Sequence, residues 1–120
     1  MSLKGIYVNK STGEKLEITD ANDANGQLKG FMQVPQNGGS LKVSVDGHFH
    51  FVNSTGPATS IEFTGMIDNT PTTPSIYQSW AGLTNRDEKY KELNVLGAQS
   101  VMQPDGKGIV SALSGPFVRQ

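Results

Sequence analysis

The chain has 120 residues, a formal net charge of -1 at pH 7 and no cysteine. This length predicts a single domain, residues 1–120, that can bury one sizeable core. The Lys and Arg residues are scattered along the chain, which argues against binding to nucleic acid or to an anionic membrane. No apolar run approaches the ~20 residues that a membrane-spanning helix needs. Without cysteine there is no disulfide or thiol chemistry. The compartment stays open: secreted or periplasmic if a signal peptide was removed, otherwise cytoplasmic.

Short alternating apolar runs separated by Gly, Pro, Thr, Ser and Asn predict an all-β domain with almost no helix. In chain order the predicted strands are Lys4–Asn9, Lys15–Thr19, Gln27–Val34, Leu41–Phe51, a strand with Ile61 and Ile67 on its inner face, Ser75–Leu83, Tyr90–Ser100 and Gly108–Arg119. The longer predicted turns and loops are Asp20–Gly26, Pro35–Gly39, Ser54–Thr59, Asp68–Pro74 and Asn85–Lys89. An eight-stranded antiparallel up-and-down barrel of the calycin type accounts for this order and leaves no bare sheet edge.

The segment Leu41–Phe51 has two interpretations. Asp46-Gly47 between apolar alternations is a strong hairpin signal. A two-residue hairpin would, however, place Phe49 on the face opposite Val45. In one long strand these two residues share a face, and Gly47 lets the strand bend. We therefore predict a continuous strand.

The predicted strand Ser75–Leu83 contains the chain's single tryptophan. Alternation puts Gln78 and Trp80 on the same face. An amide beside a large aromatic suits a barrel interior that touches a ligand, and it equally suits a core with one satisfied polar group. The sequence leaves both interpretations open.

Several short motifs, in their order and spacing, resemble the avidin and streptavidin family. They are Gly5-Ile-Tyr-Val-Asn9, Asn25-Gly-Gln-Leu-Lys-Gly30, Phe63-Thr64 through Asn69, Ser79-Trp-Ala-Gly82 and Ser114-Gly-Pro-Phe117. The resemblance covers most of the chain weakly and implies the eight-stranded barrel of that family.

The resemblance also implies a ligand site. Asn9 matches the asparagine that hydrogen-bonds the ureido oxygen of biotin, and Ser11 or Thr12 lies in the loop that gives a second donor. Gln78 stands where a hydroxyl residue meets the biotin sulfur. Trp80 matches a tryptophan that packs on the ligand's rings.

Four positions depart from the family's pattern. Met32 replaces a tyrosine, Ile67 and Gly97 replace two tryptophans, and Gly115 replaces the aspartate that receives a ureido N–H. Each missing polar partner or aromatic wall weakens biotin binding, so we do not expect avidin-like affinity. Small residues at 97 and 115 either widen the cavity for another ligand or let neighbouring side chains fill it.

We therefore expect a non-enzymatic small-molecule binder, for biotin or a biotin-like ligand, that forms a homo-oligomer, a dimer or tetramer. Ile6, Val8, Leu83 and Leu96 supply apolar outward positions for that association. The alternative is a barrel that has lost biotin binding and serves as an interaction or structural module or takes a different ligand.

Catalytic and metal chemistry have little support in the sequence. We find no nucleophile elbow, no paired acids at a recognisable spacing and no histidine beside a reactive serine. His48 and His50 share the outer face of one strand without a third ligand at a fitting spacing. We therefore expect a surface pair or a subunit contact, with no metal and no cofactor.

Overall fold

This computed structural model describes residues 2–36, 38–51, 57–67 and 74–120. The strands are β1 (Gly5–Val8), β2 (Lys15–Asn22), β3 (Gln27–Gln36), β4 (Gly39–Phe51), β5 (Ala58–Ile67), β6 (Ser75–Asn85), β7 (Glu92–Met102), β8 (Gly108–Ser114) and β9 (Phe117–Arg119). A short 3₁₀ turn, Arg86–Glu88, is the one helical element among these residues. No helix in the described ranges is long and apolar enough to cross a membrane.

The strands form a closed antiparallel barrel, as predicted. Each strand from β1 to β7 pairs with its neighbours in sequence, and β9 joins β7 to β1 and so closes the ring. The closing contact is short: only Tyr7 opposite Arg119 and Val8 opposite Val118 pair across it. In contrast, β3 and β4 pair continuously from Gln27 to Gln36. The wall is therefore narrowest at β9, which has only two residue pairs with β1 and two with β7.

The predicted last strand, Gly108–Arg119, is broken into β8 and β9. Gly115 and Pro116 lie between them, joined by a cis peptide bond. The register against β7 is the same on both sides of the break, with Leu96 opposite Ser114 and Leu93 opposite Phe117. The two segments are thus halves of one strand, interrupted where proline has no N–H to donate to a ladder. This keeps the predicted count of eight.

The long strand predicted through Gly47 is confirmed: β4 runs from Gly39 to Phe51 without a turn. At Gly47 the backbone of β5 approaches so closely that a Cβ atom would overlap the carbonyl oxygen of Glu62 and lie 2.8 Å from Cα of Phe63. Only glycine allows this approach, and close approach of neighbouring strands is a common reason for glycine inside a strand.

Several predicted boundaries were wrong by a few residues. β2 continues through Asn22, so the turn that was predicted to begin at Asp20 begins only after Asn22. The turn ends at Gly26, whose backbone is left-handed with φ of 73°. β3 continues through Pro35 and Gln36, and β7 begins at Glu92 because Tyr90 has a left-handed backbone, with φ of 53°. The predicted loops at 54–59 and 68–74 lie mostly outside the described residues.

The core lies inside the barrel and consists of the residues that alternation predicted to face inward. Leu16, Ile18, Met32, Val43 and Trp80 are each under 5% exposed. One end is tied together by the two termini. The Tyr7 hydroxyl donates to the Leu3 carbonyl at 2.7 Å and accepts from Arg119 Nη1 at 2.8 Å.

Candidate functional site

Trp80 lies in the barrel interior and is covered by other aromatic rings. Only 1% of its surface is exposed. Its ring packs edge-on against Phe117, with centroids 5.0 Å apart, and stacks on Phe63 at 6.1 Å. Such pairs stabilise a core beyond the area they bury. In this arrangement Phe63 and Phe117 border the indole.

Gln78 is the centre of a buried polar cluster. Its Nε2 donates to Glu14 Oε2 at 2.6 Å and to Gln99 Oε1 at 2.7 Å, and its Oε1 accepts from Trp80 Nε1 at 3.3 Å. The side-chain amide, 1% exposed, thus has both N–H groups and its oxygen engaged by protein. We define Glu14, Gln78 and Gln99 as the polar cluster of the barrel.

Glu14 is a site residue that the sequence prediction missed. It ends the loop before β2, where Asn9 N–H donates to the Glu14 carbonyl at 2.9 Å, and its side chain reaches inward with 3% exposed. Burial raises the pKa of its carboxyl above 4.5, and hydrogen bonds from Gln78 and Thr12 offset part of that rise. Counting back by two from Leu16 along the inner face would have predicted this position.

Asn9 is fully buried and bonded on both sides of its amide. Its Oδ1 accepts from the backbone N–H groups of Ser11 at 3.0 Å and Thr12 at 3.3 Å, the pattern of an Asx turn. Its Nδ2 donates to the Ser114 carbonyl at 2.9 Å. The Asn9 oxygen therefore shapes the β1–β2 loop, while its nitrogen holds the end of β8. The Ser11 residue itself is exposed.

Neighbouring groups fill the space beside the two predicted glycine positions. A Cβ atom at Gly97 would lie 2.8 Å from Trp80 Cδ2, so the indole packs directly on that glycine. At Gly115 a Cβ atom would lie 3.1 Å from the Val95 carbonyl oxygen, so it is backbone that closes this position.

Met32 and Ile67 differ in their surroundings. Met32, 1% exposed, is part of the core opposite Leu16. Ile67 is only partly buried, at the end of β5 opposite Ile76. Of the predicted site residues, Gln78 and Gly97 therefore both contact Trp80. Asn9 is linked to them through Glu14, whose backbone carbonyl accepts from the Asn9 N–H and whose carboxyl accepts from Gln78.

The histidine pair lies on the outer face of the barrel. The rings of His48 and His50 stack with centroids 6.5 Å apart, and His48 Nδ1 lies 3.8 Å from Glu62 Oε1. Within the described ranges no three His, Cys, Asp or Glu side chains converge in a group that could hold a metal ion.

Comparison with known proteins supports the fold. No family model and no curated protein matches this sequence. The solved structure of a biotin-binding protein from chicken is similar over 98% of this chain and 95% of that chain, with a TM-score of 0.58 and 16% sequence identity. The chain therefore has the avidin-like barrel fold, as its motifs predicted. At this identity the likeness extends to the fold and no further.

Proposed function

We propose that the chain is a non-enzymatic, small-ligand-binding barrel whose site is the polar cluster of Glu14, Gln78 and Gln99 beside Trp80. The observation that carries the proposal is the Glu14 carboxyl, 3% exposed inside the barrel and bonded by Gln78 at 2.6 Å. A buried carboxyl is costly to a fold, and groups with a displaced pKa gather at functional sites. Hydrophobic residues of similar size would serve packing better.

The ligand is biotin or a smaller relative. Biotin itself should bind far more weakly than it does to avidin, because Met32, Ile67, Gly97 and Gly115 supply neither aromatic walls nor hydrogen bonds. The packing of Trp80 on Gly97 also leaves a bicyclic ligand little space unless the indole moves. A compact ring with N–H and C=O groups fits the cluster better, since the partly buried Gln99 brings an amide to its edge.

Self-association is the second part of the proposal. The outer face of β6 and β7 exposes large apolar side chains, with Leu83 51% and Leu96 71% exposed. Ala81, Leu83 and Leu96 border a groove of about 420 Å³ on this face. Exposed apolar patches of this kind mark interaction sites. Ile6 and Val8, by comparison, are only partly exposed and contribute less.

The rival function is an interaction module that has lost its ligand. The observation that favours it is the filled interior, in which Trp80 and Phe117 lie in van der Waals contact with centroids 5.0 Å apart. In this case the polar cluster is a structural feature and the outer face of β6 and β7 carries the function.

A titration separates the two functions. Biotin and, separately, 2-imidazolidinone, which carries only the ureido ring, are titrated into the protein while Trp80 fluorescence and heat are recorded. Trp80 is the single tryptophan, so its emission reports on this site. Saturable binding that Gln99→Ala weakens about tenfold or more, as the loss of one hydrogen-bonding partner predicts, supports the ligand-binding function.

The matched control is Gln33→Ala, the same change on an exposed position of β3. It should leave binding unchanged. If neither probe gives heat or a spectral change at millimolar concentration, or if both variants bind like the wild type, the polar cluster is not the site and the interaction module is favoured.

A further inference from the structure

The strand β8 lies outside the closed ring of the barrel. It is the last strand in the sheet order and pairs with β7 alone. Its other edge faces no strand within the ranges that the structure describes. The expectation that the barrel leaves no bare edge was therefore wrong for this segment, because the ring closes through β9 instead.

The hydrogen bonds at both ends of β8 show which backbone groups are unpaired. Gly115 N–H donates to the Val95 carbonyl at 2.8 Å, and Gln103 N–H donates to the Lys107 carbonyl at 2.7 Å. Alternate residues of an antiparallel strand bond to the same neighbour, so the odd-numbered residues of β8 face β7. Gly108, Val110 and Ala112 then direct their N–H and C=O groups to the bare edge.

Among the residues that the structure describes, this edge has none of the usual protection against pairing. Natural sheets cover, shorten, twist or charge their edges, often with lysine or proline. The β8 sequence, Gly-Ile-Val-Ser-Ala-Leu-Ser, contains no charge and no proline, and Ile109 and Val110 are 70% and 77% exposed. An uncharged, exposed, β-branched edge strand favours pairing with another strand.

We propose that β8 pairs edge to edge with β8 of a second copy of this chain, in antiparallel orientation about a two-fold axis. We take a second copy of the chain as the occupant because the edge carries no charge. A strand that pairs with itself about a two-fold axis places residues of the same charge close together, which destabilises a charged strand. Here no residue from 108 to 118 is charged, so self-pairing meets no repulsion.

The register follows from Asn9. Its Nδ2 already bonds the Ser114 carbonyl, so the bare edge available to a partner ends before Ser114. The remaining unpaired residues, Gly108, Val110 and Ala112, are centred on Val110. The two-fold axis therefore passes beside Val110, which faces the same residue of the second copy, and Gly108 faces Ala112 of that copy. This contact is separate from the outer face of β6 and β7 and does not depend on ligand binding.

The test blocks one edge N–H. Ala112→Pro removes an N–H that β7 does not use, and proline is tolerated on the open side of an edge strand. Ala112→Val keeps the N–H and is the matched control. Sedimentation from micromolar to millimolar concentration should give a dimer or tetramer for the wild type and Ala112→Val. For Ala112→Pro we expect the dissociation constant of the edge contact to rise at least about tenfold.

Two further measurements keep the proposal falsifiable. Amide hydrogen exchange should show concentration-dependent protection at Val110 and Ala112. Val110→Lys, which charges the edge without altering the backbone, should reproduce the effect of Ala112→Pro if that variant does not fold. A wild-type protein that is monomeric throughout overturns the proposal and leaves the edge to an extended peptide of another protein. An oligomer that survives both edge variants but dissociates in Leu96→Lys also overturns it and assigns association to the β6–β7 face.

Discussion

Gly97 is the position at which the packing of the barrel interior is most directly testable. We expect Gly97→Ala to destabilise the fold by forcing strand β6 away from β7. The new Cβ atom would lie 2.6 Å from the Ser79 carbonyl oxygen and 2.8 Å and 2.9 Å from Cδ2 and Cε3 of Trp80. Ordinary contacts begin at 3.4 Å, so both the backbone and the indole must move.

The size of the effect follows from known costs of overpacking. Adding a methyl group to a well-packed core costs about 1–3 kcal/mol. A domain of this length has roughly 6–18 kcal/mol of total stability. One kcal/mol lowers the melting temperature by roughly 4 °C at this size, so we expect a fall of roughly 4–12 °C.

Thermal and urea unfolding followed by Trp80 fluorescence measure this loss, and the emission maximum of the native state should also shift because the indole is displaced. The matched control is Gly39→Ala, since a Cβ atom there meets no neighbour within 4 Å. If Gly97→Ala is as stable as Gly39→Ala and its emission is unchanged, Trp80 does not pack on Gly97 and the interior retains space for a ligand.

Two other predictions concern the segment between β1 and β2, which carries Asn9 and Glu14. Burial raises the pKa of the Glu14 carboxyl above its ordinary value of 4.5. The protonated carboxyl therefore makes its full contribution to the free energy of unfolding below pH 4.5. That contribution falls as the pH rises through the raised pKa of the folded state, and at higher pH it no longer changes. Glu14→Gln should remove this fall, measured by urea unfolding between about pH 4 and pH 8; parallel wild-type and variant curves would contradict it. Asn9→Ala should cost about 1–3 kcal/mol, because it leaves the Ser114 carbonyl and the Ser11 N–H without their partner. Equal chemical stability of Asn9→Ala and the wild type would show that these bonds are dispensable.

Much of the fold could be predicted because one physical pattern, alternation across a wall with one buried face, repeats in every strand. It placed Leu16, Met32, Val45 and Trp80 correctly in the interior. It also chose the continuous β4 over a hairpin at Gly47. The break at Gly115–Pro116 was missed although proline within a strand pattern signals it.

The candidate site was less predictable because it depends on groups far apart in sequence. Gln78 was singled out as a buried amide in need of partners, but its partner Glu14 is 64 residues away. Glu14 lies just before the predicted strand Lys15–Thr19 and was not assigned to any element. Alternation counted back from Leu16 places this side chain on the inner face, but it does not show that the carboxyl will bond Gln78 on β6.

Asn9 explains why a ligand and a structural interpretation fit the same sequence position. The ring closes through only two residue pairs between β1 and β9. The preceding half of the last strand, β8, pairs with β7 and not with β1. The Asn9 amide bonds the Ser114 carbonyl at 2.9 Å, just where the ladder ends, so it extends the closure that backbone pairing cannot complete. With both groups of its amide engaged by protein, Asn9 needs no ligand to account for its burial. The carbonyl that it occupies also fixes where the bare edge of β8 ends.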